Sequence, residues 1–348
     1  MKLILKRLSF LVLLLAITNM SSARSWHINN NVDAPAADFA SINEAMGSAD
    51  VVAGDTLYLG NGCILGTQSI SKKVTVIGGG IANDNSPVVI PKINGTLYIE
   101  ASGAKIIGVY VNGDICINKG NIENIEIERC YGVRFRTNKS GINNVRLIQS
   151  RCAQIDLQFT DWNSGWVIKN CIFICDYPMM KHLNKATIEN NVFINIEAYN
   201  ITSSEITILE DVVNSTIKNN IMIQKKAGGE KYFFQTCNMN VVSNNVFSLP
   251  VSYESSYPGN TFLESNDEAV VFKCTGSKES GEYYSLKEGS PAIGAGEGGI
   301  DCGVMAGAYK YVPFCRPINI PIIREASVPA TTTDGKVRVT LKLENQNE

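Results

Sequence analysis

The sequence predicts an all-β solenoid, and three observations carry that prediction. Ile188-Glu189-Asn190-Asn191-Val192-Phe193 recurs as Ile168-Lys169-Asn170-Cys171-Ile172-Phe173, Ile217-Lys218-Asn219-Asn220-Ile221-Met222 and Val242-Ser243-Asn244-Asn245-Val246-Phe247. With weaker copies at Ile127 and Ile148, starts lie 21, 20, 20, 29 and 25 residues apart, the drifting period of coils that carry insertions. The apolar runs elsewhere, such as Leu97 to Ile99 and Ile115 to Ile117, are too short for helices and sit between Gly or Asn.

Taken in order, residues 1–23 read as an export leader. Lys2, Lys6 and Arg7 give the positive start, Leu8 to Ile17 the apolar run, and Ser21 and Ala23 the small residues before a cleavage site. The run is too short for a permanent anchor, and no Cys follows it to carry a lipid. The mature chain is expected to begin near Arg24, outside the cytoplasm, with no transmembrane segment. Asp38 to Ala49 is the one convincing helix: Ser41 and Glu44 have capping-box spacing, while Phe39, Ile42, Ala45, Met46 and Ala49 share a face. A helix at about 38–49 would cap a first coil that otherwise exposes core and an unpaired edge.

Gly54-Asp55-Thr56-Leu57-Tyr58-Leu59 and Lys73-Val74-Thr75-Val76-Ile77-Gly78-Gly79-Gly80 follow as strands closed by turn residues. Helix, "GDTLYL" and "VTVIGGG" together resemble the entry of right-handed parallel β-helices of the pectin-lyase-like superfamily. Ser290-Pro291-Ala292-Ile293-Gly294-Ala295-Gly296 and Asp301-Cys302-Gly303-Val304-Met305-Ala306-Gly307-Ala308 resemble the "SPAIxxG…DxGA" ending of exported bacterial β-helix proteins. Physically that ending reads as a last coil with tight glycine turns. The resemblance spans roughly residues 36–310 and implies a right-handed parallel β-helix of nine or ten coils within 24–312.

The paired Asn have a physical use. One can take the left-handed conformation that a sharp turn requires, and stacked amides can bond from coil to coil. Asn170, Asn190, Asn191, Asn219, Asn220, Asn244 and Asn245 are therefore structural. Ten Cys in an exported chain invite a disulfide count, but Cys130, Cys152 and Cys171 recur near the coil period and read as buried, free thiols. Cys302 with Cys315 is the pair best placed for a bond, and the absence of CxxC argues against zinc.

Composition narrows the partner. With 31 Lys+Arg against 33 Asp+Glu the net charge is −2, and no basic stripe points to nucleic acid or an anionic membrane. A polysaccharide or cell-surface component fits better. Function is expected in the insertions Asp176 to Leu183, Glu197 to Val213, Gln224 to Met239 and Ser248 to Phe262. Their aromatics, Tyr177, Tyr199, Tyr232, Phe233, Phe234, Tyr253 and Tyr257, either stack on sugars or cover the coil edge. Residues 313–348 are unlike the rest: Pro313, Pro317, Pro321 and Pro329 keep them extended, and Lys336 to Leu343 alternates as a strand. That strand packs on its own β-helix or adds to a partner's sheet edge.

For chemistry, the resemblance implies lyases with an acidic metal cluster and a basic proton acceptor, or hydrolases with two or three close Asp. There is no Asp-Asp pair, and Glu210-Asp211 and Asp267-Glu268 are adjacent acids without the wanted flanks. Arg134 and Arg136 alternate with apolar neighbours and should face outward, as should Asp156 and Gln158 a coil later, then Asp176, Tyr177, Lys181 and His182. Arg134, Arg136, Asp156, Asp176 and His182 are the catalytic candidates, and Gln158, Tyr177, Lys181, Tyr199, Tyr232 and Phe234 the binding ones. The only other histidine, His27, precedes the cap. Calcium is implied if the chain is a lyase, and no other cofactor is. Three functions stay open: carbohydrate binding or surface interaction, cleavage of an acidic polysaccharide, and structural assembly through the C-terminal strand.

Overall fold

The computed structural model describes residues 23–32, 36–81, 90–157, 163–175, 179–195, 206–225, 231–248, 258–276, 278, 281–312, 322–327 and 339–344. Within them the strands stack in parallel sheets, coil upon coil, in an arrangement consistent with a parallel β-helix. The first sheet has ten strands, from Ser25–Ile28 to Val241–Ser243, and the second has eight, from Gln68–Ile70 to Lys231–Gln235. The third runs from Ile64–Leu65 to Thr261–Phe262, its three early strands linked to six later ones by Tyr131, which bridges Tyr110 and Arg151.

Register follows the repeat. Ile127, Leu147, Ile168, Ile188, Ile217 and Val242 are successive partners in the first sheet, and Phe173, Phe193, Met222, Phe247 and Phe262 in the third. Such inward columns merge into one core extending from Ile28 to Phe247. Phe173 and Phe193 stack with ring centroids 5.0 Å apart. Because alternate residues of a strand point to opposite faces, the same register lines up outward columns.

The turns work as the repeat requires. Asn170, Asn190, Asn219 and Asn244 all hold positive φ, between 52° and 57°. The next residue of each coil forms a ladder: Cys130, Ser150, Cys171, Asn191, Asn220, Asn245 and Asn260 each accept a backbone N–H from the coil before. Asn191, Asn220, Asn245 and Asn260 also bond amide to amide at 3.0–3.1 Å. Ser150, not Cys152, fills the ladder between Cys130 and Cys171; Cys152 belongs to the strand beside Phe173.

The helix covers Ile42–Gly47, shorter than 38–49, because Ser48 returns to extended backbone. Ser41 Oγ accepts from the Glu44 amide at 3.1 Å, as the capping-box spacing expects, while Glu44 Oε2 reaches one residue further, to the Ala40 amide at 2.7 Å. Asn43 bonds Thr67 O and the Ser69 N–H, satisfying the edge of the second sheet's first strand.

One expectation needs correction. The Ser290–Ala308 region is not a last coil. It runs back along the third sheet: Cys302 Sγ bonds Asn244 O, Gly303 N bonds Asn219 O, Asn170 Nδ2 bonds Val304 O and Ala306 O, and Gln149 bonds Lys310 O. The reason is that third-sheet strands are apolar on both faces. Phe173 and Phe193 fill the inner core, while Ile172, Val192, Ile194, Ile221, Ile223 and Val246 point out and make a second core with Val271, Phe272, Tyr284, Ala292 and Val304. Glu268 fastens this cover, its Oε1 taking Lys225 Nζ at 2.8 Å, Lys278 Nζ at 2.9 Å and Tyr283 Oη at 2.8 Å.

In the tail, Thr340–Glu344 pairs antiparallel with Ile322–Ser327. Nine cysteines are free thiols, Cys302 among them, and Cys315 lies outside the described residues. Burial pushes Cys171 and Cys302 up to about 12, so both remain protonated.

Candidate binding face

The outer face of the second sheet gathers the sequence candidates. Successive register partners put Ser69, Tyr98, Cys116, Arg136 and Asp156 in one outward column, continued by the facing pair Lys181 and Glu210 and then Gln235. Inward neighbours such as Leu97, Ile115, Phe135, Ile155 and Met180 anchor these strands in the core. Eight strands at about 4.8 Å spacing make a face about 34 Å long.

Polar side chains on this face are tied from coil to coil. Glu100 accepts from Ser69 Oγ at 2.9 Å and Asn118 Nδ2 at 3.0 Å. Asp114, absent from the sequence candidates, holds both arginines: Arg134 Nε and Nη2 reach its two oxygens at 3.1 and 3.0 Å, and Arg136 Nε lies 2.7 Å from Oδ2. The Arg136 contact is close but poorly aligned for a hydrogen bond, so we treat it as an ion pair. Donating these hydrogen bonds to Asp114 raises the Arg134 pKa, which holds its guanidinium charged. Asp156 stands opposite Arg136 on the next strand.

Two coils further on, Lys181 Nζ meets Glu210 Oε2 at 3.0 Å and His182 Nε2 meets Asp211 Oδ2 at 3.3 Å. Thr236 donates to the other oxygen of Asp211. His182, Asp211 and Thr236 all hold positive φ near 50–60°, so the strand end turns at the same place in three coils. Glu210-Asp211 is thus a pair of held anions at a strand end.

The remaining candidates divide. Gln158, Asp176, Tyr177 and Tyr199 lie outside the described residues, as does the side chain of Tyr232, whose backbone pairs with Thr207. Phe234 is not a loop aromatic: it opposes Leu209, packs on the core and meets Phe247 edge-on at 5.9 Å. The expected insertions contain second-sheet strands, Met180–Lys181, Ile206–Glu210 and Lys231–Gln235. Residues 176–178, 196–205 and 226–230 each connect a third-sheet strand to a second-sheet strand, so three of the four expected insertions enter the sheet that carries the polar face, while Ser248 to Phe262 joins two third-sheet strands.

Among the described residues no three His, Cys, Asp or Glu side chains form a metal-binding group. Asp114 is already committed to two guanidinium groups. No helix among the described residues is long and apolar enough to cross a membrane. Comparison with protein-family models, curated proteins and solved structures gave no match.

Proposed function

We propose that the chain is an exported right-handed parallel β-helix of the pectin-lyase-like type, closed at its first coil by the Ile42–Gly47 helix, that binds a linear polysaccharide along the second sheet. The observation that carries this reading is the eight-strand polar face, whose side chains are held at fixed heights by coil-to-coil bonds. A chain of sugars presents hydroxyls at regular intervals, and a regular row of oriented donors and acceptors suits it at low entropic cost. Tyr98, outward between Ser69 and Cys116, offers a ring for stacking. Asp114, Glu210 and Asp211 are each held by a cation or hydroxyl, an arrangement better suited to orienting hydroxyls than to exchanging protons.

Affinity electrophoresis through gels cast with neutral and uronate-containing polysaccharides tests this reading. Retardation is expected in at least one gel, lost in Tyr98→Ala and Arg136→Ala and kept in Lys105→Ala, which alters the first sheet. Equal migration in every gel would remove the reading and favour a surface-assembly role. One observation favours a second reading, polysaccharide cleavage: His182 Nε2 lies 3.3 Å from Asp211 Oδ2 while its Nδ1 is buried without a hydrogen-bond partner, so cleavage would require that nitrogen to become exposed. Unsaturated product from a uronate panel, abolished by His182→Ala, would establish it.

A further inference from the structure

Asp55 opens the second strand of the first sheet and has no solvent exposure, although it is a carboxylate. Three N–H groups reach it. The Arg24 backbone amide donates to Oδ1 at 2.8 Å, Trp26 Nε1 to Oδ2 at 2.8 Å and the Val52 amide to Oδ2 at 3.0 Å. Burial opposes ionisation, but these donors outweigh it and hold the carboxyl below its ordinary range. All three donors are neutral. The Arg24 guanidinium contributes only at a distance, from an exposed side chain 5.9 Å from the Trp26 ring centroid. A buried carboxylate with neutral donors lacks an adjacent formal counter-charge, which is costly in a dry setting.

The position of Arg24 in the chain supplies one. It follows Ser21-Ser22-Ala23, the small residues after the apolar run, where a leader peptidase would cut. It is also where the fold begins: Arg24 O accepts the Thr56 N–H at 2.8 Å, and Ser25 opposite Thr56 starts the ladder. Ala23 is exposed.

We propose that the chain is cut between Ala23 and Arg24, and that the freed α-ammonium of Arg24 takes the place of its amide N–H against Asp55. Export processing then completes a buried ion pair that pins the first strand to the solenoid. A leader peptidase would hydrolyse the Ala23–Arg24 amide with one water. The carboxylate stays on Ala23, and the nitrogen released on Arg24 becomes the ammonium. That nitrogen already lies at hydrogen-bond distance from Asp55, so the pair forms without backbone rearrangement, and a neutral contact becomes a charge-assisted one. This inference does not depend on what the polar face binds.

The test uses the exported protein. Mass spectrometry of its N-terminal peptide is expected to begin at Arg24, and any other first residue overturns the proposal. The melting temperature of the protein beginning at Arg24 is then compared with that of a chain keeping Ala23, in which the Arg24 nitrogen is an amide again. The Ala23 form is expected to melt a few degrees lower. A partner carboxylate raises the pKa of an ammonium. The difference is therefore complete below the ordinary α-amine range near 8 and shrinks as pH rises through the folded value. In an Asp55→Asn background it should vanish. If that variant does not fold, the pH dependence of the first comparison decides: equal melting at every pH overturns the proposal.

Discussion

Replacing Asn220 by Ala should remove the middle rung of the amide ladder at a cost that can be worked out atom by atom. Asn220 has no solvent exposure. Its Oδ1 accepts the Asn191 backbone N–H at 2.9 Å and Asn191 Nδ2 at 3.0 Å, while its Nδ2 donates to Ile188 O at 2.9 Å and Asn245 Oδ1 at 3.0 Å. Three of these partners have other bonds to fall back on: Asn191 Nδ2 retains Ile168 O, and Asn245 Oδ1 retains the Asn220 N–H. Ile188 C=O keeps its ladder bond from the Lys218 N–H, so the Asn191 N–H is the one group left bare. A buried group left without a partner costs about 1–3 kcal/mol, which gives a loss of about 2 kcal/mol. Urea unfolding followed by far-ultraviolet circular dichroism measures it. Asn260→Ala, at the half-buried end of the ladder, should cost only about 1 kcal/mol because water can replace the lost partner. If Asn220→Ala costs less than about 1 kcal/mol, the ladder does not hold the coils together and the reasoning fails.

Three further outcomes follow from particular contacts. The Glu268 carboxyl is buried, which opposes ionisation, yet Lys225, Lys278 and Tyr283 hold its pKa below 4.5, so the stability it contributes is present above that unfolded value and is lost as pH falls through the lower folded value. Acid melts of the wild type should show this fall, and Glu268→Gln should flatten it. A chain ending at residue 262 would leave Ile172, Val192, Ile194, Ile221, Ile223 and Val246 without their apolar cover, and light scattering should find it aggregated. Asp114→Ala should lower stability by only about 1 kcal/mol, since both arginines are partly exposed and rehydrate, while polysaccharide retention is lost because the guanidinium groups are no longer aimed.

The stacked strands were legible because turn chemistry and inward periodicity repeat with the coil. Asn260 escaped notice although Gly259-Asn260-Thr261-Phe262 is the same frame with Gly at the left-handed position, φ 71°. The second core was written in Ile172-Phe173-Ile174, Val192-Phe193-Ile194 and Ile221-Met222-Ile223, whose unbroken apolar runs mark strands buried on both faces. Charged partners were hidden by distance along the chain, yet coil length finds them. Arg134 lies twenty residues after Asp114, one coil on, and Glu210 and Asp211 follow Lys181 and His182 by the same 29 residues that separate Asn191 from Asn220. Phe234 was misread because a strand inside an insertion has no Asn pair to announce it.

The central claim is that a polysaccharide lies along the second sheet. Hydrogen–deuterium exchange of the protein with and without a retained oligosaccharide tests it most directly. The account predicts slowed exchange across Leu97–Ile99, Ile115–Ile117, Arg134–Thr137, Gln154–Leu157 and Met180–Lys181, with the first-sheet strands from Lys105–Ile107 to Thr187–Glu189 unchanged. Protection confined to the first sheet, or absent throughout with the sugar bound, would contradict it.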